Sequence, residues 1–387
     1  MKIDKINIYN TKLPLKVTFP HSLNRSSSVC SIIVEIIAEK GRLRGYGEGT
    51  PRSYVTGESP ISVSKSISNF IQQRKFPWVI QDPSQLWSFV DDLPDEKMHN
   101  SAICALESAL LDAFGKYQQR HILDYFPKDF YTDTLFYGAA LPLTDKKNII
   151  LGCRLIQKMG IRKLKIKLGK DFAHNKEILE SVHAAFGKEY DLKVDVNCVW
   201  DSKMAIRHIP LLQKYRVRVV EQPLMPEDPQ ISEIAGLMKS KGIVLMADES
   251  ACNLAEVRKL SQEGHYEMIN IRLSKCGGFR KSFTIIDYVR QNGMTFQIGC
   301  HLGESGLLSA AGRVLSLLCR DAVYYDGSYD EVLLAQNITL ENVSFGLGGT
   351  AFPLDGPGLG VNVNLKSLRR LSDLTATMTL ARPSNPF

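Results

Sequence analysis

Four charged residues recur at almost one interval through the middle of this 387-residue chain: Lys167, Asp195, Glu221 and Asp248, spaced by 28, 26 and 27 positions. Each closes a short apolar run: KLKIKLG, LKVDVN, VRVVEQP and IVLMADES. A βαβ unit consumes roughly 30 residues, so the ladder reads as successive units that each deliver one charged side chain at a strand's C-terminal end. In a (β/α)₈ barrel, active sites are built on that rim. The pattern from Asp133 onward extends the series. Strands are expected at 134–141, 163–168, 191–196, 217–221, 243–247, 267–272, 295–299 and 322–326. Helices fall near 145–159, 173–186, 202–214, 229–240, 252–261, 279–291 and 305–318. Periodicity alone leaves an open doubly wound sheet as the alternative to a barrel.

The first 130 residues read differently. Strands are expected at 2–9 and 30–48, the second with a glycine-bearing hairpin turn, followed by helices near 60–72, 84–91 and 100–118. Strands first and helices after describe an α+β unit. After 330 the chain turns to Gly, Pro and short strands (ITLENVSFGLGG, GLGVNVN), which suggests a return to the first unit. The expected division is 1–130, an α+β cap; 131–330, the barrel; and 331–387, the returning segment.

Composition narrows the functional classes. Hydrophobic residues make up 44% and charged ones 23%, ordinary for a soluble globular protein. The net charge of +7 is spread along the chain, with no basic tract interleaved by aromatics, so no nucleic-acid partner is expected. No apolar run reaches 18 residues, and the alternating start MKIDKINIYN lacks a signal peptide's apolar core. Eight cysteines without a CxxC pair suggest reduced thiols in a cytoplasm.

Asp195, Glu221 and Asp248 are hard oxygen donors on three consecutive strands. Mg²⁺ favours carboxylates and keeps open positions for substrate, with Mn²⁺ as an alternative. Lys165 and Lys167, two apart, share one strand face. Two ammonium groups facing one small site repel, and that repulsion is expected to lower the pKa of each, suiting a general base. Taken singly, each acid reads as a helix cap and the KxK pair as a solvated strand end. Three acids in register beside the lysines point to a base next to a divalent ion.

KIKLG, DVN, EQP, ADES and NIRLSKCGG, in this order and spacing, resemble the enolase superfamily, in particular its muconate-lactonizing subgroup. ALESALLDAFGK, IGCHLGESGLLSAAG and the late GPGLGVNV extend the likeness over most of the chain. The resemblance implies a modified TIM-type barrel beneath an α+β cap. It also implies a divalent ion on Asp195, Glu221 and Asp248, Lys167 as the base with Lys165 beside it, and Asn197 and Glu249 supporting the ion's ligands. One departure matters: the subgroup's two-base members carry a second lysine in a sixth-strand segment reading NIK, where this chain has Arg272. Arginine stays charged far above neutral pH, so Arg272 reads as an anion holder, and Lys275 is the alternative second acid or base.

Glu304 is expected near the reacting centre. His301, Asp326 and the cap-loop residues His21 and Tyr54 are expected to line the substrate. YYDGSYDE puts Ser328 where dipeptide epimerases of the subgroup carry a second aspartate. The resulting expectation is a cycloisomerase of the muconate type acting on a small carboxylate. A lyase of the o-succinylbenzoate synthase kind comes next, and a dipeptide epimerase or amino-acid racemase third. A Schiff-base aldolase would also explain a strand-end lysine but needs no row of three acids, and a catalytically silent protein would not need to keep Lys167 and the acids together. A closed homo-oligomer is expected on general grounds.

Overall fold

The computed structural model of the protein describes residues 1–21 and 24–380; side chains within 17–26 lie outside that description. Its first layer is an antiparallel sheet of β1 (Ile3–His21), β2 (Asn24–Ala38) and β3 (Leu43–Gly49), with the C-terminal strand Ser372–Thr379 on the outer edge of β1. Ile6, Ile8, Ile32, Val34 and Ile36 are fully buried, and Asn7, Ile33 and Glu35 between them are buried as well, so the middle of this sheet is covered on both faces. β1 is longer than expected and pairs with β2 as far as His21↔Asn24, so much of the stretch read as a loop is hairpin strand.

Helices α1 (Pro60–Gln72), α2 (Pro83–Asp91) and α3 (Asn100–Gln118) follow. α3 is buried along 16 consecutive residues, Asn100 to Gly115, and lies directly on β3. A Cβ on Gly45, Gly47 or Gly49 would come within 2.1–2.3 Å of α3 backbone atoms. These alternating glycines are therefore packing residues. The expected glycine-bearing hairpin turn is the one at Glu39, Lys40 and Gly41, which all take positive φ. Glu107 of α3 accepts the backbone N–H groups of Phe279 at 2.5 Å and Arg280 at 3.0 Å, joining the cap helix to the first turn of a barrel helix. Burial pushes this carboxyl up to about 8.

The predicted 134–141 strand splits in two. β4 (Leu135–Phe136) leaves the barrel to pair with Thr350–Ala351, while β5 (Ala139–Leu141) opens the parallel sheet. It is followed by β6 (Lys163–Lys167), β7 (Asp191–Asp195), β8 (Val217–Glu221), β9 (Val244–Ala247), β10 (Met268–Ile271), β11 (Thr295–Ile298) and β12 (Tyr324–Tyr325), each beside its predecessor. The curl is drawn closed by Gly138 N–H donating to Tyr325 O at 2.8 Å and Lys163 Nζ to Val323 O at 2.9 Å.

Helices α4 (Lys146–Lys158), α5 (Phe172–Phe186), α6 (Ser202–Lys214), α7 (Ile231–Lys239), α8 (Leu254–Glu263), α9 (Leu273–Cys276), α10 (Gly278–Gln291) and α11 (Gly306–Leu317) connect the strands. Five of them begin where Asp145, Asp171, Asp201, Asn253 and Ser305 accept first-turn N–H groups, as good N-caps do. The expected strands of 338–349 and 358–364 are largely irregular. The regular strand of this region is Ser372–Thr379, antiparallel to β1 through Lys5↔Thr379 to Thr11↔Ser372. Among the described residues no helix is long and apolar enough to cross a membrane, and all eight cysteines are free.

Candidate active site

Strand register assembles the charged ladder. Lys167 pairs with Asp195, Asp195 with Glu221 and Glu221 with Met246, two residues before Asp248. One inward layer below, Lys165 pairs with Lys193 and Lys193 with Val219. A small apolar cluster of Val219, Met246, Met268 and Tyr324 packs beside these layers, with Lys193 Nζ 4.5 Å from the Tyr324 ring centre. The inward faces thus form layers, as in filled barrels, with cations placed just under the acid row.

A cavity of about 150 Å³ opens over this rim. Its walls include Lys165, Lys167, Asp195, Asn197, Glu249, Arg272, His301 and Asp326, with Leu141, Pro142, Leu302, Val332 and Leu333 as apolar lining and Tyr54 from the cap. A larger cleft of about 380 Å³ on the outer barrel wall, lined by Lys97, Met225, Lys259 and Tyr266 among others, holds none of the ladder groups. Its Lys97 and Lys259 are already paired with Glu256 and Glu227.

Lys167 Nζ donates to Asn197 Oδ1 at 2.5 Å and stands 3.4 Å from Asp195 Oδ2, with about a third of its side chain exposed. Asn197 takes φ +47 and the following Cys198 φ +62. Left-handed non-glycine backbone of this kind gathers at functional sites, and here it turns Asn197 back to Lys167 and to Glu249 Oε1 at 3.2 Å. Lys165 is different: its ammonium spans Glu221 at 3.3 Å and Asp326 at 2.9 Å. Burial alone would lower its pKa, but Asp326, Glu221 and Asp195 outweigh it and hold the group well above the usual lysine value. The expected lowering by lysine–lysine repulsion does not hold for Lys165, because the carboxylates surrounding it are nearer partners.

Glu221 Oε1 accepts from Asn270 Nδ2 at 2.7 Å. Asp248 Oδ1 is buried without a hydrogen bond, 3.1 Å from the Lys275 ammonium. Arg272 Nη2 bonds to Asp248 Oδ2 and reaches Glu221 Oε1 at 3.3 Å. Lys275 is fully buried and donates to the carbonyls of Asp248 (2.8 Å) and Asn270 (2.6 Å). It lies outside the cavity wall, so the structure does not bring it to the position of a second acid or base.

Glu304 sits behind His301, accepting its N–H at 2.5 Å. Burial raises its carboxyl to about 8, with Glu48 nearby adding to the shift. His301 is held neutral by burial and by the positive field of Arg272 and Arg52, and its Nδ1 is 3.1 Å from Thr50 Oγ1 of the cap. Burial also pushes Glu249 up to about 8, reinforced by Asp248 and Asp195, and its Oε2 has no hydrogen-bond partner. Asp326 is buried, yet Lys165 and Lys193 hold its carboxyl far below the usual range. The side chain of His21 lies outside the described residues.

Two positioning groups escaped the sequence reading. Gln222 (φ +40) donates to Leu224 O and Ser250 Oγ and accepts the N–H groups of Asp248 and Ser250, so it clamps the turns that carry Glu221 and Asp248 together. Lys193 neutralises Asp326 at 2.8 Å from within the barrel. Gln222 stood in the quoted EQP motif, whereas nothing in the local sequence marks Lys193 beyond an inward-facing charge two residues before Asp195.

Three carboxylates suit a hard divalent ion in chemistry. Among the described residues, however, no three His, Cys, Asp or Glu side chains close on one point, and the Arg272 guanidinium contacts both Glu221 and Asp248. A lysine at one strand end facing a carboxylate row, beneath an α+β cap, defines the enolase-type barrel class. Residues 152–367 match the Enolase C-terminal domain-like family, and the chain belongs to it as an enzyme of the enolase superfamily.

Among its relatives is a hydrophobic dipeptide epimerase of Enterococcus faecalis, 28% identical over 80% of this chain and 86% of that protein. An o-succinylbenzoate synthase of Bacillus subtilis is 25% identical over 96% of each. The crystal structure of an N-succinyl Arg/Lys racemase from Bacillus cereus superposes with a TM-score of 0.85 at 24% identity, covering 98% of this chain and 100% of that one. The E. faecalis dipeptide epimerase, complexed with Mg and L-Leu-L-Tyr, gives 0.81 at 26% identity over 94% and 100%. A muconate lactonizing enzyme of Pseudomonas fluorescens gives 0.84 at 21% identity over 96% and 99%, a likeness of fold. The comparisons therefore favour the epimerase and racemase reading, placed third above, over the muconate one.

Proposed function

We propose that the protein removes the α-proton of an N-acylated amino acid, a class that includes both dipeptides and N-succinyl amino acids, and isomerises that carbon as an epimerase or racemase. The observation that carries this reading is Lys167. Its ammonium is partly exposed on the cavity and oriented by Asn197 at 2.5 Å, whereas Lys165, Lys193 and Lys275 are each locked into buried ion pairs. As its neutral amine Lys167 takes the proton, Asn197 aims it, and Lys165 keeps a permanent positive charge one layer below; inversion further requires a proton returned to the opposite face of the carbon, the side of the cavity that Arg272 borders. Asp195, Glu221 and Asp248 would hold a Mg²⁺ or Mn²⁺ ion, which supplies Lewis-acid charge to the substrate carboxylate; magnesium in the related dipeptide epimerase supports this.

The wall of Leu141, Pro142, Val332 and Leu333 favours an apolar substituent. Asp326 is neutralised by two lysines, and Ser328 Oγ accepts from Arg313 at 3.0 Å. Although Asp326 Oδ1 has no hydrogen-bond partner, the carboxylate's charge is already matched by two ammonium groups, which favours an acylated nitrogen over a free substrate ammonium. The cap loop bearing Tyr54 is fastened over the rim by Arg52 Nη2 to Leu302 O at 2.8 Å and Thr50 N–H to Ser274 Oγ at 2.8 Å, and its role is to exclude water. The pairing of Ser372–Thr379 with β1 supports assigning 331–387 to the cap with 1–130, and 131–330 to the barrel.

Arg272 favours a second reading. It occupies the sixth-strand position opposite Lys167, four strands away in an eight-stranded order, and an arginine is a poor proton shuttle. Chemistry using Lys167 alone would give syn elimination of the o-succinylbenzoate synthase kind. Incubation with Mg²⁺ in D₂O, against a panel of dipeptides and N-succinyl and N-acetyl amino acids, separates the two when followed by NMR and chiral analysis. Exchange with inversion supports the epimerase. Exchange with retention, or loss of a β-substituent, moves the assignment to the one-base reading. Absence of exchange across the panel sinks the substrate class.

A further inference from the structure

Two of the three acids assigned to the divalent ion share a single cation. Arg272 follows β10 directly, and its Nη2 bonds to Asp248 Oδ2 and lies 3.3 Å from Glu221 Oε1; both acids are wholly buried. We propose that Arg272 is a resident counter-cation, which a divalent ion must displace from Glu221 and Asp248 in order to bind. The proposal rests on the metal reading given above.

Buried carboxylates require a matching charge whether or not an ion is bound. Lys165 serves Glu221 together with Asp326, and Lys275 serves only the far oxygen of Asp248. Arg272 is the one described cation shared by Glu221 and Asp248, so it occupies carboxylate oxygens that those two acids would need in order to hold a divalent ion. A guanidinium and a divalent ion repel each other and cannot both take the same oxygens.

The docked pose is also incomplete. Arg272 Nε is buried without an acceptor, a donor left unpaired at a cost, and the side chain borders the cavity. A displaced guanidinium therefore has somewhere to go, toward an anionic group entering that cavity. A lysine at this position would offer one compact ammonium in place of a planar fork able to serve two carboxylates at once, and so would hold the pair of acids less firmly.

Mn²⁺ binding to the whole chain without substrate tests this, by EPR of the free ion and by calorimetry. Arg272→Met is expected to bind at least tenfold more tightly than the wild type, with Arg272→Lys between them, and Mn²⁺ is expected to raise the melting temperature of Arg272→Met more than that of the wild type. Asp248→Asn should abolish binding in either background. Equal or weaker binding by Arg272→Met and Arg272→Lys, with Asp248→Asn still abolishing it, overturns the competition while leaving the metal site standing. Binding indifferent to Asp248→Asn, or absent throughout, overturns the metal reading itself. If Arg272→Met does not fold, the charge-preserving Arg272→Lys decides alone: tighter than wild type supports the proposal, equal or weaker refutes it.

Discussion

Replacing Lys193 with methionine tests whether the charge of Asp326 is spent inside the barrel. Lys193 and Asp326 are each about 2% exposed, with Nζ 2.8 Å from Oδ2, and Lys165 reaches the same oxygen at 2.9 Å. At an effective dielectric near 20, unit charges at this separation attract by about 6 kcal/mol, much of it offset by the cost of removing both from water. Methionine preserves most of the volume and removes the charge. Asp326 then retains Lys165 alone, and Gln297 Oε1, which also accepts from Lys193, loses its donor. The expected loss of stability is about 3–5 kcal/mol. In a double-mutant cycle with Asp326→Leu, the cost of Lys193→Met should shrink, giving a coupling energy of about 2–3 kcal/mol. Urea unfolding followed by tryptophan fluorescence and circular dichroism measures all four corners. A coupling below about 0.5 kcal/mol would refute the reasoning, and would leave Asp326 free to hold a substrate cation.

Lys167→Ala should lower turnover by about 10²–10⁴-fold, the usual weight of a general base, and abolish α-proton exchange, with little change in the urea midpoint because the side chain is partly exposed; exchange that survives would remove Lys167 from the mechanism. Glu107, raised to about 8 from an ordinary 4.5, keeps its proton in the folded state where the unfolded chain has lost it, so its contribution to stability falls as pH rises from about 4.5 to 8 and levels off above. At the limit that window is worth about 3–5 kcal/mol. Glu107→Gln should therefore flatten the decline in the urea midpoint between pH 5.5 and 8, and an unchanged slope would count against it. Gly47→Ala places a methyl 2.1 Å from Ala105 O and 2.4 Å from Ala109 N, so helix backbone must move; a loss of about 3 kcal/mol or more is expected, and a neutral melting temperature would show that α3 can lift off β3.

The alternation of strand and helix, the strand ends that carry Lys167, Asp195, Glu221 and Asp248, and the family itself were all readable in the chain, because each depends on local periodicity and on spacing along one βα repeat. Helix boundaries came within a residue or two where an Asp, Asn or Ser cap marked them. Other features depend on what lies across space, and only the tertiary structure decided them. Nothing in the local sequence says why Gly45, Gly47 and Gly49 alternate, until α3 is seen resting on their bare Cα atoms. The 134–141 strand divides because Thr350–Ala351 arrives from far along the chain to claim its first half, pairing with Phe136 and Leu135. Lys165 keeps its charge and Lys275 turns from the cavity because buried carboxylates and carbonyls on neighbouring strands capture them. Arg272, legible as a departure at one position, acquires its meaning from Glu221 and Asp248, 51 and 24 residues earlier. Electrostatic partners inside a barrel are chosen by strand register and inward direction, and those become definite only when the sheet closes.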